Sequence, residues 1–183
     1  MNRRIILEVI TYISVFLAIT VISPSIGKTL DQLYYPYPNL ISDSPLLLLM
    51  GGLIALIGFG LAMWTIVIFK TIGKGTPNPY LPPIELVSSG PYRYSRNPMV
   101  AGGFLALVGE AGIYQSPSLA VIAVLFAVIL YVYIIYFEEP VLKVRFGARY
   151  ETYINTVPRF LPNPFTPRHQ RLNASVKINR DGK

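Results

Sequence analysis

Residues 45–69 run for 25 positions without a charge. A helix of that length extends ~38 Å, more than the ~30 Å hydrocarbon core of a bilayer. Pro45 stands at its start, and Trp64 and Lys70 lie near its far end, as interfacial anchors do. Gly51, Ala55, Gly58 and Ala62 follow at spacings of four, three and four. That spacing puts small side chains on one helix face, where another helix can approach closely. Charged residues are only 14% of the chain, against roughly 25% in soluble domains. A polytopic membrane protein follows, and 183 residues make one domain the default.

The other segments are read around this span. Arg3 and Arg4 precede an apolar run, residues 5–22, interrupted by Glu8. The run is long enough to cross and lacks a small-residue cleavage site, so it is read as an uncleaved anchor. Residues 27–44 contain LYYPYPNL and are expected to form a loop. Its Tyr34, Tyr35 and Tyr37 fit an interfacial aromatic belt, or a segment re-entering the bilayer. Residues 98–114 and 119–137 are a third and a fourth apolar segment, joined by a tight turn at QSPS, residues 115–118. Pro140 follows Glu138 and Glu139. Proline disfavours helix at the residue before it and suits a first turn, so the expectation is a break at the glutamates and a new helix to about Asn155. In that helix Leu142, Phe146, Tyr150 and Tyr153 share a ~80° arc flanked by Arg145 and Arg149, an amphipathic pattern suited to a membrane surface. The expected fold is all-α integral membrane, with about four transmembrane helices plus a C-terminal cytoplasmic interfacial amphipathic helix.

Four spans place both termini on one side. That side then receives 15 of the 16 lysines and arginines, and the other receives only Lys28. The positive-inside rule puts both termini and the loop of residues 70–97 in the cytoplasm. The net charge of +7 is thereby explained by topology and calls for no nucleic acid. Cysteine is absent, so disulfides and thiolate metal sites are excluded, and the single histidine, His169, lies in the polar tail. No metal is expected.

The stretch GPYRYSRNPMVAGG, residues 90–103, ends a proline-rich and glycine-rich loop and feeds into the third apolar segment. The hairpin of the third and fourth segments brings Arg96 near Glu138 and Glu139. Two readings account for that juxtaposition. One is a structural ion pair closing the hairpin. The other is a site for a ligand carrying both a carboxylate and an amine, with arginine on the first and glutamate on the second. Gly102 and Gly103 suit close approach of a ligand or of another helix. Glu110 lies ~16 Å along its helix from Met99, too far towards the opposite face for a site at Arg96 and within reach of water there. Glu8 is read as pairing with a loop arginine.

These residues carry a resemblance. From about Thr76 to Pro162 the chain resembles the integral membrane methyltransferases typified by isoprenylcysteine carboxyl methyltransferase and phospholipid N-methyltransferases. The shared pattern appears as Gly90-Pro91-Tyr92, Arg96-Asn97-Pro98-Met99-Val100-Ala101-Gly102, Glu138-Glu139, Leu142, Phe146-Gly147, Tyr150, Tyr153 and Val157-Pro158-Arg159. Asn97 stands where the pattern has histidine, and Val100 where it has tyrosine. The resemblance implies S-adenosylmethionine as methyl donor and a hydrophobic acceptor arriving from the bilayer: an isoprenylcysteine carboxylate, a phospholipid amine or a small hydrophobic thiol. It implies cofactor binding by Tyr92, Arg96, Asn97, Pro98, Gly102, Glu138, Glu139 and Tyr150, with Glu139 and Arg159 as catalytic residues. It implies a single domain over residues 1–165, with acceptor-side spans in 1–75 and a cofactor-binding half in 76–165, followed by a polar basic tail at 166–183. A non-catalytic membrane scaffold of the same fold, or an NADPH-dependent enzyme like the sterol reductases, are the competing readings.

Overall fold

The computed structural model describes residues 3–34, 44–74 and 83–160, without the side chains of residues 3–5 and 8. Tyr35, Tyr37 and half of the expected loop after the first span lie outside the described residues, as do the Glu8 side chain and the tail. Among the described residues the elements are all helical. They are α1 (Arg3–Leu17), α2 (Ser23–Tyr34), α3 (Pro45–Thr71), α4 (Pro98–Tyr114), α5 (Pro117–Tyr133), α6 (Glu139–Phe146) and α7 (Ala148–Thr156), with a 3-10 turn at Gly90–Arg93. Three helical stretches are long and apolar enough to cross a membrane: Val9–Tyr34, Pro45–Thr71 and Pro117–Phe146. The fourth, α4, is a shorter apolar helix of 17 residues.

Two expected helix stops are absent, for one shared reason. Five-residue π-helical turns, Ala18–Ile22 and Ile134–Glu138, join α1 to α2 and α5 to α6. Each immediately precedes an X-Pro pair, Ser23-Pro24 and Glu139-Pro140. A proline inside an α-helix has no N–H to donate and presses its ring on the carbonyl four residues back. The wider turn relieves that pressure. The Ser23 N–H donates to the Ala18 carbonyl, and the Glu139 N–H to that of Ile134, both five residues back. The helix therefore runs through Glu138 and Glu139 instead of breaking there, and the first helix continues through Gly27 to Tyr34. The break expected at the glutamates falls at Gly147, with φ +53° and ψ −134°. That region is open to glycine and strained for any other residue.

The described chain divides into two compact units. The first comprises Met1–Ala62 and Val100–Ile129. In it the small-residue face of α3 meets a matching face of α4. A Cβ added to Gly51 would lie 2.6 Å from the backbone nitrogen of Ile113, and one added to Gly102 would lie 2.8 Å from the Gly58 carbonyl oxygen. Gly58 is equally tight against Ala106, and Gly109 against Ala55. Backbone meets backbone here, which apolar lipid cannot drive and van der Waals contact can. On another side of α4, Leu107 and Ala111 pack with Leu119 and Ala123 of α5, and Ile19 and Phe126 close over them. The QSPS turn forms as expected. Gln115 adopts φ +51°, and the Ser116 N–H reaches back to the Ala111 carbonyl. Ser116 Oγ then caps α5 by accepting the Leu119 N–H at 3.0 Å. Asp31 of α2 accepts the Ser118 N–H at 3.0 Å, an anion at a helix N-terminus.

The second unit comprises Met63–Met99 and Leu130–Lys183. Its core gathers Leu86, Tyr150, Tyr153 and Val157, with Leu142 and Phe146 against them. The arc read from the sequence thus packs as one cluster although Gly147 divides the helix that carries it. Ile68, Val87 and Tyr92 form a second cluster, in which the Tyr92 ring tilts against Phe69 at 5.3 Å.

Gly109→Val and Gly58→Leu force the α3 and α4 backbones apart and are expected to cost at least about 1–3 kcal/mol each. Gly60→Val, where an added Cβ meets nothing within 4 Å, is the control. Denaturation in detergent should separate the two kinds; a Gly60 variant as unstable as the Gly109 variant would contradict this packing.

Candidate functional site

The second unit contains a polar cluster built on Glu139, a buried residue. Three chain segments feed it. The π-helical turn ending at Glu138 sets the position of Glu139 on its helix. The GPYR turn starts from Gly90, at φ +56°, where a Cβ would strike the Ile68 side chain. The residues after α7 supply Arg159.

The GPYR turn and the segment after α7 are zipped together. The Arg96 N–H donates to the Pro158 carbonyl at 2.9 Å, and the Asn97 N–H to the Arg159 carbonyl at 3.2 Å. The Arg159 carbonyl also accepts Ser95 Oγ and Asn97 Nδ2, both at 3.1 Å. The Tyr153 hydroxyl donates to the Tyr92 carbonyl at 2.8 Å. These bonds fix the backbones of Arg96 and Arg159 side by side, facing Glu139.

Glu139 is then shared unequally. Arg159 Nε and Nη2 donate to its two oxygens at 2.8 and 2.9 Å, the paired geometry that guanidinium and carboxylate favour. Arg96 Nη1 lies 2.9 Å from Oε1, an ion pair, but away from the hydrogen-bonding direction. Arg96 Nε is buried and faces no acceptor among the described residues. Both Arg96 and Glu139 side chains are about a tenth exposed. A buried donor without an acceptor costs about 1–3 kcal/mol, so Arg96 is held by the charge of Glu139 and a hydrogen bond with Tyr150 while Nε and Nη1 keep bonding capacity in reserve. Glu138, next in the chain, makes no ion pair or hydrogen bond with a described residue.

Bonding to Glu139 raises the pKa of Arg159, so its charge is permanent. Burial raises Tyr150 to about 12, with the negative charge of Glu139 adding to the shift and Arg96 opposing it. Tyr153 is raised by burial as well. Both phenols are neutral at any physiological pH.

The structure brings together Arg96, Asn97, Glu139, Tyr150 and Arg159 of the residues singled out from the sequence. Tyr92 joins through its carbonyl and Pro98 begins α4 directly after Asn97. Asn97 spends its amide on the Arg159 carbonyl, so its side chain serves the zipper. Gly102 belongs to the first unit and turns its bare face to Gly58 and Ala62. Glu110 is also there, buried where water was expected, with Oε2 facing no donor among the described residues. The same unit holds an open apolar cavity of about 400 Å³, lined by Leu47, Val108, Gly112, Gln115 and Val124 among others, with no titratable side chain. Sequence reasoning did not find Ser95, whose hydroxyl both accepts the Asn97 N–H and donates to Arg159. It also missed the ring of Tyr131, which lies under the Arg159 guanidinium at 5.6 Å. Among the described residues no three His, Cys, Asp or Glu side chains gather as metal ligands.

A family model described as phospholipid methyltransferase matches residues 46–149, more than half of the chain. No curated protein and no solved structure matches.

The Tyr150 shift makes a pH prediction. Between pH 10 and about 12 the unfolded chain releases this proton and the folded protein keeps it. Stability that is complete below pH 10 is therefore lost as pH rises through that window. In Tyr150→Phe the decline in unfolding free energy between pH 10 and 12 should be shallower by up to about 2 kcal/mol. An identical slope in both proteins would contradict burial of the phenol beside Arg96.

Proposed function

The chain belongs to the phospholipid methyltransferase family, and from that premise we propose that it transfers a methyl group from S-adenosylmethionine to a lipid acceptor at the cytoplasmic membrane face. The observation that carries this reading is the buried Arg96 guanidinium, its Nε and Nη1 without a hydrogen-bond acceptor, set against Glu139, the chain neighbour of Glu138. The amino-acid end of S-adenosylmethionine presents a carboxylate and an ammonium, and Arg96 and Glu138 match that pair in charge. Bound there, the cofactor supplies a sulfonium-activated methyl group.

The chain's own residues do the rest. Arg96 would hold the cofactor carboxylate, and Glu138 the ammonium. Glu139 does not compete for either group, because Arg159 occupies both its oxygens. It holds Arg96 by charge and keeps its side chain aimed. Tyr150 and Tyr92 wall the pocket with neutral rings that tolerate a cation. Methyl transfer takes the positive charge off sulfur, cancelling it on an anionic nucleophile or passing it to nitrogen on an amine, so no new charge is created, a pocket with little water is tolerated and alignment is the main demand on the protein. No side chain here has to act as a strong base. The cytoplasmic assignment rests on the 15 of 16 basic residues that four spans put on one side.

Arg96→Gln and Glu138→Gln are each expected to weaken binding of S-adenosylmethionine by about tenfold or more, since each removes a charge-assisted hydrogen bond. Glu110→Gln should stay within about twofold of wild type, being one residue outside the site. Calorimetry on the detergent-solubilised protein, with melting temperatures run alongside, checks all three. Normal affinity in both site variants would reduce the cluster to a structural ion pair.

A further inference from the structure

The apolar arc that the sequence shows after Pro140 is spent on the protein's own core, where Leu142 and Phe146 pack against Leu86, Tyr150, Tyr153 and Val157. The opposite side of α6 is apolar as well. Val141 is 56% exposed and Val144 is 89% exposed. At ~100° per residue these two lie ~140–160° round the helix from Glu139, whereas Leu142 and Phe146 lie within ~60° of it. Lys143 and Arg145, both exposed, stand on opposite sides of the valine pair. Arg145 donates one N–H to the Pro83 carbonyl at 3.3 Å and remains open to its surroundings.

Two observations say what covers this face. The first is length. Pro117–Phe146 is one helical stretch of 30 residues. It extends ~45 Å, against ~30 Å of hydrocarbon and ~40–45 Å of bilayer with its headgroups. Its last two turns therefore reach the headgroup layer. Exposed Tyr133, Tyr136 and Phe137 lie just before them, with Tyr133 stacked on Phe137 at 5.8 Å, as aromatic side chains do where hydrocarbon gives way to headgroups. The second is charge. The described residues of the second unit carry eight lysines and arginines against four glutamates. Lys74–Glu85 and the Glu139 cluster already use two of those glutamates, so the excess on this surface is positive.

We infer that Val141, Lys143, Val144 and Arg145 form a docking surface for anionic phospholipid in the leaflet where this helix ends. The valines rest on the carbons nearest the headgroups. Lys143 and Arg145 extend along the same surface to bring their charges to the phosphates, as long basic side chains do at an interface. A zwitterionic lipid offers those two charges no net partner, whereas an anionic one such as phosphatidylglycerol does. Each basic residue at an anionic surface strengthens the association by about fivefold. Water would leave two valines bare at the centre of the face, and a soluble acidic partner would have to enter the headgroup layer to reach them. Because α6 begins at Glu139, lipid held on its outer face steadies the helix that carries the polar cluster without touching that cluster.

The chain has no cysteine, so Val144→Cys gives the full-length protein a single labelling site at an exposed position. With a bimane label there, the protein is placed in nanodiscs that contain either brominated phosphatidylglycerol or brominated phosphatidylcholine at the same mole fraction. Quenching should be about threefold or more stronger with the anionic lipid. Adding Lys143→Gln and Arg145→Gln should make the two lipids quench equally, and adding Lys143→Arg with Arg145→Lys should keep the preference. Melting temperatures confirm that these surface variants stay folded. Equal quenching by both lipids in the protein with its native basic residues overturns the inference. So does a preference that survives the double glutamine variant, which assigns it to other charges. A label quenched by neither lipid overturns it as well, and leaves the face to water, a second copy of the chain or a soluble partner. The experiment uses no S-adenosylmethionine, so its outcome is independent of the methyltransferase reading.

Discussion

One carboxylate held by two guanidiniums organises the cytoplasm-facing chemistry proposed for this protein. Glu139 is buried, and a buried carboxylate without partners would be strongly destabilising. Arg159 satisfies it with two hydrogen bonds, and Arg96 adds charge without a matched bond. The inequality is the informative part. A purely structural pair meets its carboxylate with matched hydrogen bonds, as Arg159 does. Arg96 is oriented by the same carboxylate yet keeps Nε for something else.

That arrangement depends on backbone placed from far apart in the chain. Ser95 and Asn97 bond the Arg159 carbonyl, and the Tyr153 hydroxyl bonds the Tyr92 carbonyl. Around them the large side chains Leu86, Tyr150, Tyr153 and Val157 exclude water. Glu138 and Glu139 reach the cluster because the helix does not stop at Pro140. The π-helical turn carries it onward and delays the break to Gly147, whose backbone conformation permits one. Hydrogen bonding thus sets the direction of the arginines, and the turn sets the register of the glutamates.

Much of this was legible in the sequence, for physical reasons that differ by element. The charge-free run of α3 and its small-residue stripe carry their meaning locally, since length decides spanning and the absence of side chains decides close approach. The stripe met the α4 backbone as the spacing implied. The nearness of Arg96 to Glu139 followed from hairpin topology. Pro140 was misleading because the rule that proline ends a helix assumes α-helical spacing, and the extra residue in the π-helical turn removes the clash. Glu110 was placed near water from depth alone, although burial depends on neighbouring helices that the sequence does not specify. Arg159 entered by resemblance, but its bidentate grip on Glu139 and its ring partner Tyr131 join residues 20 and 28 positions away in a non-regular segment. No periodicity reports a contact of that kind.

The central claim is that Arg96 is aimed by Glu139 but retains a free donor for the cofactor carboxylate. The most direct measurement is the ¹H–¹⁵N resonance of Arg96 Nε in labelled protein, assigned by its loss in Arg96→Lys, as S-adenosylmethionine is titrated in. The account predicts that this signal shifts in a saturable way, while Arg159 Nε, already bonded to Glu139, stays in place. An Arg96 signal that does not move while the cofactor binds, or an Arg159 signal that moves instead, would contradict it.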